Sequence, residues 1–222
     1  MTATGMTQPT DLEAVRESYD RVADNYVEMV ASTGLGDIRL QPWLRACMDV
    51  FADTVRDLGP VLDVGCGPGT VTAYLKAAGV KASGVDLSPR MIEHARRLHP
   101  ECEFGVCSAT ELDLEPGSMA GILGWWSLFN LPREILPEVL AAFREALMPG
   151  GHVIVATHVG DDHVPRSEAY GGVPISWTTY KWQPEQLVAL LEQAGLRIVA
   201  ELRLPAEDQI GPVVVLTACR DN

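Results

Sequence analysis

The chain has 222 residues, of which 47% are hydrophobic and 21% are charged, and this composition is that of a globular protein with one sizeable core. Its formal net charge of −13 would repel a phosphate backbone, and no basic cluster offsets that charge, so we expect no nucleic-acid partner. No apolar run approaches the ~20 residues that cross a bilayer, and the first residues lack the basic and apolar stretches of a secretory signal, so we expect no membrane partner.

The N-terminal part, residues 1–59, is predicted to form a tail and two helices that precede the main domain. Residues 1–10 have the composition of a tail. From Asp11 to Met29, and again from Leu44 to Leu58, apolar residues recur at gaps of three and four, which places them on one face of a helix. Gly59-Pro60 ends the second helix. We interpret these two segments as cap helices.

From residue 60 onward, predicted strands and helices alternate along the chain. Such alternation predicts a mainly parallel sheet with helices on both faces. The last two strands are joined only by residues 205–209, and so short a link permits an antiparallel pair but no parallel crossover. The predicted strands are residues 61–65, 80–85, 102–107, 119–125, 151–158, 196–204 and 210–219, and the predicted helices are residues 69–78, 88–98, 133–147 and 184–194.

A glycine-rich turn after the first of these strands is the most informative motif. Its glycines are Gly65, Gly67 and Gly69, and the next strand ends on Asp86. Glycine lets a ligand approach the backbone closely, and an acid at that distance can bind ribose hydroxyls. The spacing differs from the dinucleotide pattern, because Pro68 has no N–H to offer a pyrophosphate. An NAD-dependent oxidoreductase is therefore the less favoured alternative.

The pattern Asp63-x-Gly65-x-Gly67-x-Gly69, followed by Asp86, resembles motif I of the class I S-adenosylmethionine (SAM)-dependent methyltransferases. This resemblance implies a Rossmann-like three-layer α/β fold, with residues 60–222 forming a seven-stranded sheet of order 3-2-1-4-5-7-6 in which strand 7 is antiparallel. It implies SAM as the cofactor, S-adenosylhomocysteine (SAH) as the product, and a small molecule as the partner, methylated at oxygen, nitrogen or carbon. It also implies that the turn faces the methionine part of SAM.

Further contacts with SAM are expected at the carboxyl ends of successive strands, where ligands of open α/β sheets bind. Ser88-Pro89 also has the residues of a helix N-cap, so a structural role is equally open. Ser108 stands where many family members carry an acid for the adenine, and either its hydroxyl or the Ala109 backbone could replace that contact, unless it is an ordinary loop serine. The predicted cofactor-binding set is Tyr19, Tyr26, Asp63, Gly65, Cys66, Gly67, Thr70, Asp86, Leu87, Ser88, Met91, Ser108, Ala109 and Trp125, in which Cys66 is interpreted as a small filler.

The Tyr19-Asp20-x-x-Ala23-x-x-Tyr26 pattern resembles the cap helix of small-molecule methyltransferases, in which tyrosines close over SAM; the alternative is a core-packing stripe. Adjacent strand residues face opposite ways, so we expect Trp125 to flank the site and Trp126 to pack in the core. The predicted substrate contacts are Tyr19, Asn130, His158, Tyr170 and Trp177.

His158 lies at the carboxyl end of the fifth predicted strand, residues 151–158, and is the predicted general base, with an uninvolved loop histidine as the alternative. The aromatic-rich segment 159–183 is predicted to be a substrate lid, or a hairpin that covers the sheet edge.

Two departures from the family pattern leave a second function open. Met119-Ala120 stands where relatives have phenylalanine and aspartate, and Asn130 stands where they often have histidine. A SAM-binding regulatory subunit without turnover is therefore the alternative to an enzyme. The five cysteines lack metal-ligand spacing, so we expect no metal, reduced thiols and a cytoplasmic protein, either a monomer or a homodimer.

Overall fold

The computed structural model describes residues 10–34, 37–206 and 211–221, so all but one residue of the predicted tail lies outside the described part. The helices are α1 (Thr10–Thr33), α2 (Pro42–Val55), α3 (Thr70–Ala77), α4 (Pro89–Leu98), α5 (Leu136–Ala146) and α6 (Pro184–Gln193). The strands are β1 (Pro60–Val64), β2 (Lys81–Asp86), β3 (Glu103–Val106), β4 (Met119–Trp125), β5 (Leu147–His158), β6 (His163–Ala169), β7 (Val173–Tyr180), β8 (Arg197–Leu204) and β9 (Val213–Cys219).

Seven strands form one sheet in the order β3-β2-β1-β4-β5-β9-β8. Without the separate pair β6 and β7, this is the predicted order 3-2-1-4-5-7-6. The pairs from β3 to β5 are parallel, and β9 is antiparallel to both of its neighbours, β5 and β8. The fold class predicted from the family resemblance is confirmed.

Both faces of the central strands are buried, which makes the fold three-layered. Leu62 and Val153 face a cluster that includes residues of α5 and α6, whereas Val61 and Ile154 face a cluster that includes residues of α2 and α3. Neighbouring residues of a strand point to opposite sides, so a strand between two helical layers must be apolar at successive positions. The sequence of β5, Val153-Ile154-Val155-Ala156, follows this rule.

The largest boundary difference from the prediction lies at β5, which begins at Leu147 rather than at residue 151. The Pro149-Gly150 pair predicts a break, but Leu147 already pairs with Met119, and the register shifts before Gly121 pairs with His152. A β-bulge absorbs the turn residues that the sequence pattern assigns to a loop.

Residues 159–183 contain an antiparallel hairpin of β6 and β7. Its turn has positive φ at Tyr170, Gly171 and Gly172. The hairpin packs on α1 through Ile175 and Trp177, rather than along an edge of the main sheet. Among the described residues, no helix is long and apolar enough to cross a membrane.

Candidate functional site

A cavity of about 940 Å³ lies at the carboxyl ends of the parallel strands, with α1 along one side. This volume lies within the range of small-molecule and cofactor sites. Most of the predicted site residues line it, and three of them do not: Asp63, Ser88 and Trp177.

The three glycines of the turn after β1 differ in what a side chain would meet. A Cβ atom on Gly65 (φ +75°) would lie 2.2 Å from Ser127 Cβ, and one on Gly69 (φ +83°) would lie 2.5 Å from the Phe104 ring. A Cβ on Gly67 (φ +53°) would meet no atom within 4 Å. Gly65 and Gly69 therefore permit close packing within the protein, whereas Gly67 lines open space in the cavity.

Asp86 ends β2 and lies in the cavity wall beside Gly67. Its two carboxylate oxygens accept hydrogen bonds from Gly67 N and Ser88 N, each at 2.8 Å. Burial raises the pKa of Asp86 to about 6, and these two backbone donors oppose that rise. Each oxygen retains lone pairs for a ligand hydroxyl, so the carboxylate is placed to accept from a ribose.

Asp63 lies behind the wall and does not line the cavity. Its carboxylate accepts a hydrogen bond from Thr72 Oγ1 at 2.7 Å, and burial raises its pKa to about 7. The structure therefore ties this residue of the motif to α3, so that it supports the turn from below.

Ser88 acts as the N-cap of α4, because its Oγ accepts a hydrogen bond from Met91 N at 3.1 Å. The same hydroxyl donates to Asp20 Oδ1 on α1 at 2.6 Å. Its hydrogen-bonding capacity is used within the protein and its side chain is buried away from the cavity, which favours the structural alternative.

The remaining residues that were predicted to bind the cofactor do line the cavity. Ser108 Oγ lies 2.8 Å from Thr110 Oγ1 and accepts from Thr110 N, so a local turn already engages it. Burial raises the pKa of the Cys66 thiol, which keeps the sulfur protonated and fits a small filler. The others in this group are Thr70, Leu87, Met91 and Ala109.

Helix α1 and the hairpin are joined above the cavity by a buried polar chain. Tyr19 Oη donates to Asn130 Oδ1 at 2.8 Å, and Asn130 Nδ2 donates to the carbonyl oxygen of Thr178 at 3.0 Å. The Tyr19 ring stacks on Trp177 at 4.5 Å between centroids, so Trp177 supports Tyr19 and lies behind it. Tyr26 packs edge-on against Tyr170, and both of these rings line the cavity.

We expect Tyr19→Phe to loosen this cap. The change leaves the buried Asn130 oxygen without its donor, which costs ~1–3 kcal/mol of unfolding free energy. Urea denaturation measures that loss, and hydrogen exchange at the β7 amides should accelerate. Tyr26→Phe is the matched control, since its described contact is the ring of Tyr170. Equal effects of the two variants would contradict the assignment.

The prediction that only one of the adjacent tryptophans reaches the site is wrong, because both line the cavity. Strand β4 ends at Trp125, and Trp126 has φ +51°, so the alternation of strand residues does not extend to it. The two rings meet edge to face with centroids 5.0 Å apart.

His158 lies at the carboxyl end of β5 and lines the cavity beside these rings. Its ring centroid is 6.4 Å from that of Trp126 and 5.5 Å from that of Phe129. Burial lowers the pKa of His158, and the charges of Lys181 and Arg166 lower it further. The imidazole is therefore neutral at neutral pH and has a free electron pair.

Part of the wall was not predicted from the sequence. Phe129 lies in the segment after β4 but belongs to no recognisable motif. The segment Leu40–Leu44 reaches the cavity only because it folds back over the sheet. Within the described residues, no group of His, Cys, Asp or Glu is arranged to hold a metal ion.

Comparison with known proteins identifies the fold and family. Residues 61–151 match the methyltransferase domain family. A demethylmenaquinone methyltransferase of Beutenbergia cavernae is 31% identical over 163 residues, which cover 72% of this chain and 65% of that protein. The O-methyltransferase cnsE of Penicillium expansum is 28% identical over 214 residues, which cover 86% of this chain and 74% of that one. The chain thus spans roughly two thirds to three quarters of these relatives.

A solved magnesium protoporphyrin IX methyltransferase of Synechocystis has the same fold, with a TM-score of 0.73 at 16% identity, covering 99% of this chain and 100% of that one. The fold and the sequence match define a methyltransferase domain with a Rossmann-like core. The chain is similar in sequence and fold to the class I SAM-dependent methyltransferases.

Proposed function

We propose that this protein transfers the methyl group of SAM to an oxygen or nitrogen atom of a small-molecule acceptor. The observation that carries the proposal is the open position at Gly67, which lies beside the Asp86 carboxylate at the carboxyl ends of β1 and β2. The names of the two sequence relatives, both methyltransferases, support it.

The residues present fit SAM. The turn from Gly65 to Thr70 would lie along the methionine part, and Asp86 would accept from the ribose hydroxyls. Leu87, Met91 and the backbone at Ala109 would border the adenine. When bound, SAM would supply an electrophilic methyl carbon on a positively charged sulfur, for capture by a lone pair of the acceptor, with the electron pair of the broken carbon–sulfur bond left on the sulfur of SAH.

The protein contributes alignment, exclusion of water and a proton acceptor. Helix α1 and the hairpin cover the cavity, and the rings of Tyr19, Tyr26 and Trp125 in its wall can stabilise a nearby cation by ~0.5–2 kcal/mol. The neutral imidazole of His158 accepts the proton that an acceptor hydroxyl loses, and releases it to water. Asp86 is the only carboxylate among the described lining residues, and it lies at the end of the cavity that would hold SAM.

The other assignments follow from this scheme. We infer that residues 60–222 form the SAM-binding core, and that the cap helices within residues 1–59 and the hairpin in 159–183 cover the acceptor. The five cysteines are free thiols, which supports a reducing, cytoplasmic setting. A monomer is sufficient for the cavity as described, and a homodimer remains the alternative for sedimentation to test.

Calorimetry and turnover assays test the function. SAH should bind and NAD should not; binding of NAD alone would refute the proposal. Transfer of label from SAM to a panel of phenols, amines and carboxylic acids then separates an enzyme from a binding subunit. Tight SAH binding without transfer to any acceptor in a broad panel would favour the regulatory alternative.

We expect His158→Gln to lower kcat by ~100-fold or more for a hydroxyl acceptor while SAH affinity stays unchanged. With SAM saturating at every pH, so that protonation of Asp86 does not limit its binding, the wild-type kcat/KM for the acceptor should fall as the pH drops through the pKa of His158, below its usual 6.5, because an imidazolium cannot accept a proton. The variant should lose that dependence. His152→Gln, on the same strand but away from the cavity, is the control. An unchanged pH profile in His158→Gln would remove the base assignment.

A further inference from the structure

One part of the cavity lies beyond the residues proposed to bind SAM, and it is here called the acceptor half. It is built from strand ends that the sheet register places side by side. His158 of β5 pairs with Val213 of β9, and Val213 pairs with Leu204 of β8. Trp126 N donates to the carbonyl oxygen of Ala156, which fixes the tryptophan beside β5. The acceptor half is lined by Leu40–Leu44, Trp125–Phe129, His158, Leu204, Pro205 and Val213.

No lysine or arginine lines this cavity. All 17 lysine and arginine residues of the chain lie within the described ranges, so the residues outside them can add none. Of the cations nearest in sequence or in charge effect, Arg39 pairs with Asp37 at 2.8 Å and Lys181 pairs with Asp162 at 3.7 Å. Arg166, whose charge also lowers the pKa of His158, is exposed and does not line the cavity. The polar side chains of the acceptor half, those of Gln41, Ser127 and His158, are uncharged at neutral pH.

This lining disfavours the binding of charged acceptor molecules. A carboxylate or phosphate that left water here would find no cation, and an unpaired buried charge costs several kcal/mol. The chain's net charge of −13 opposes the approach of anions as well. Among the described lining residues of the acceptor half there is no carboxylate to pair with an ammonium group. An ammonium group also holds its nitrogen lone pair in an N–H bond, so it could not attack a methyl group.

The shape of the lining favours a flat ring. Trp125 and Trp126 meet edge to face, and Phe129 lies 5.5 Å from His158, so aromatic rings border the histidine on two sides. Apolar surface continues outward from them, since Leu40 and Trp43 line the cavity and are also 65% and 68% exposed. An apolar substituent on the ring could therefore extend along these two side chains to the surface.

We propose, resting on the proposed methyltransferase function, that the acceptor is an uncharged aromatic molecule with an apolar substituent, held between the tryptophan pair and Phe129 with its hydroxyl or ring nitrogen facing His158. The acceptor half selects against anions and cations of the same size. This selection is a property of binding, so it can be measured without turnover.

Three naphthalene compounds of similar size test the proposal: 2-naphthol, 3-hydroxy-2-naphthoate and 3-(aminomethyl)-2-naphthol, in which the charge lies beside the hydroxyl and therefore inside the acceptor half. Binding to the SAH complex is followed by quenching of tryptophan fluorescence. We expect the neutral compound to bind at least tenfold more tightly than either charged one. Equal or tighter binding of a charged compound would overturn the proposal, and so would failure of all three to bind. Loss of SAH binding would instead refute the proposed function, so the two failures are distinct.

A charge placed in the acceptor half provides the second test. In Leu204→Lys the ammonium group enters the cavity wall, and we expect the affinity for the naphthoate relative to 2-naphthol to rise at least tenfold. Leu202→Lys is the matched control, since Leu202 is also half-buried on β8 but does not line the cavity. The same ratio in both variants would contradict the assignment of this wall to the acceptor.

Discussion

Replacing Asp86 with alanine is expected to lower SAH affinity by ~100-fold or more. The carboxylate is the only charged group among the described lining residues, and hydrogen bonds to a charged acceptor contribute ~1.5–3 kcal/mol each. Alanine would remove the group that we propose accepts hydrogen bonds from both ribose hydroxyls. It also frees Gly67 N, which now donates to Asp86, so the turn itself loses a contact. Calorimetry with SAH measures the affinity, and circular dichroism verifies that the variant is folded.

The pH dependence sharpens this test. Because the pKa of Asp86 is about 6, SAH affinity of the wild type should fall as the pH drops from 7 to 5 and the carboxylate gains a proton. Asp86→Asn should bind weakly and show little change over that range. Asp24→Asn removes a carboxylate from the contact between α1 and α4 without touching the cavity, so it is a suitable control. Affinity retained in Asp86→Ala would exclude the ribose role.

The second large effect separates two glycines of one turn. Gly65→Ala should destabilise the fold by ~3 kcal/mol or more, because its Cβ would overlap Ser127 Cβ and its φ of +75° is strained for alanine. Gly67→Ala should cost only ~1–2 kcal/mol of strain, because no atom lies within 4 Å of the new methyl group. That methyl group would enter the space assigned to the ligand, and SAH affinity should fall at least tenfold.

Urea denaturation and calorimetry on the same pair of variants make the comparison direct. The expected pattern is a stability defect in Gly65→Ala and a binding defect in a well-folded Gly67→Ala. If Gly67→Ala bound SAH as the wild type does, the open position would not be part of the donor site. A Gly65→Ala variant of wild-type stability would show that the loop at Ser127 can move away.

The donor half of the site was predictable because its signals are local. The glycine turn and Asp86 belong to two consecutive strands, and the parallel register of β1 with β2 brings them together. Local patterns also misassign residues. The sequence around Ser88 fits both a helix cap and a ligand contact, and its burial and its hydrogen bonds with Met91 N and Asp20 favour the cap. Its direct role with a ligand, like that of Asp63, stays a prediction that the geometry disfavours.

The acceptor half could be predicted only in part, because its walls come together through tertiary packing. The sequence indicated His158 and Trp125, but Leu40–Leu44 precede the sheet and reach the cavity through the packing of α2 against β5 and β9. The place of Trp126 in the cavity wall was not predicted, for a different reason. Side-chain alternation holds only as long as the backbone is extended, and the residue after β4 turns into the left-handed region.

Helix α1 is hydrogen-bonded to both sides of the site, and this limits how the site can open. On the donor side Asp20 accepts from Ser88 and from Arg90 N, and on the acceptor side Tyr19 donates to Asn130. A helix is stiff along its axis, and these two residues are adjacent, so one side cannot swing open while the other stays shut. We therefore expect exchange of SAH for SAM and entry of the acceptor to share a single opening motion, whose frequency would set an upper limit on the turnover rate however fast the methyl group is transferred.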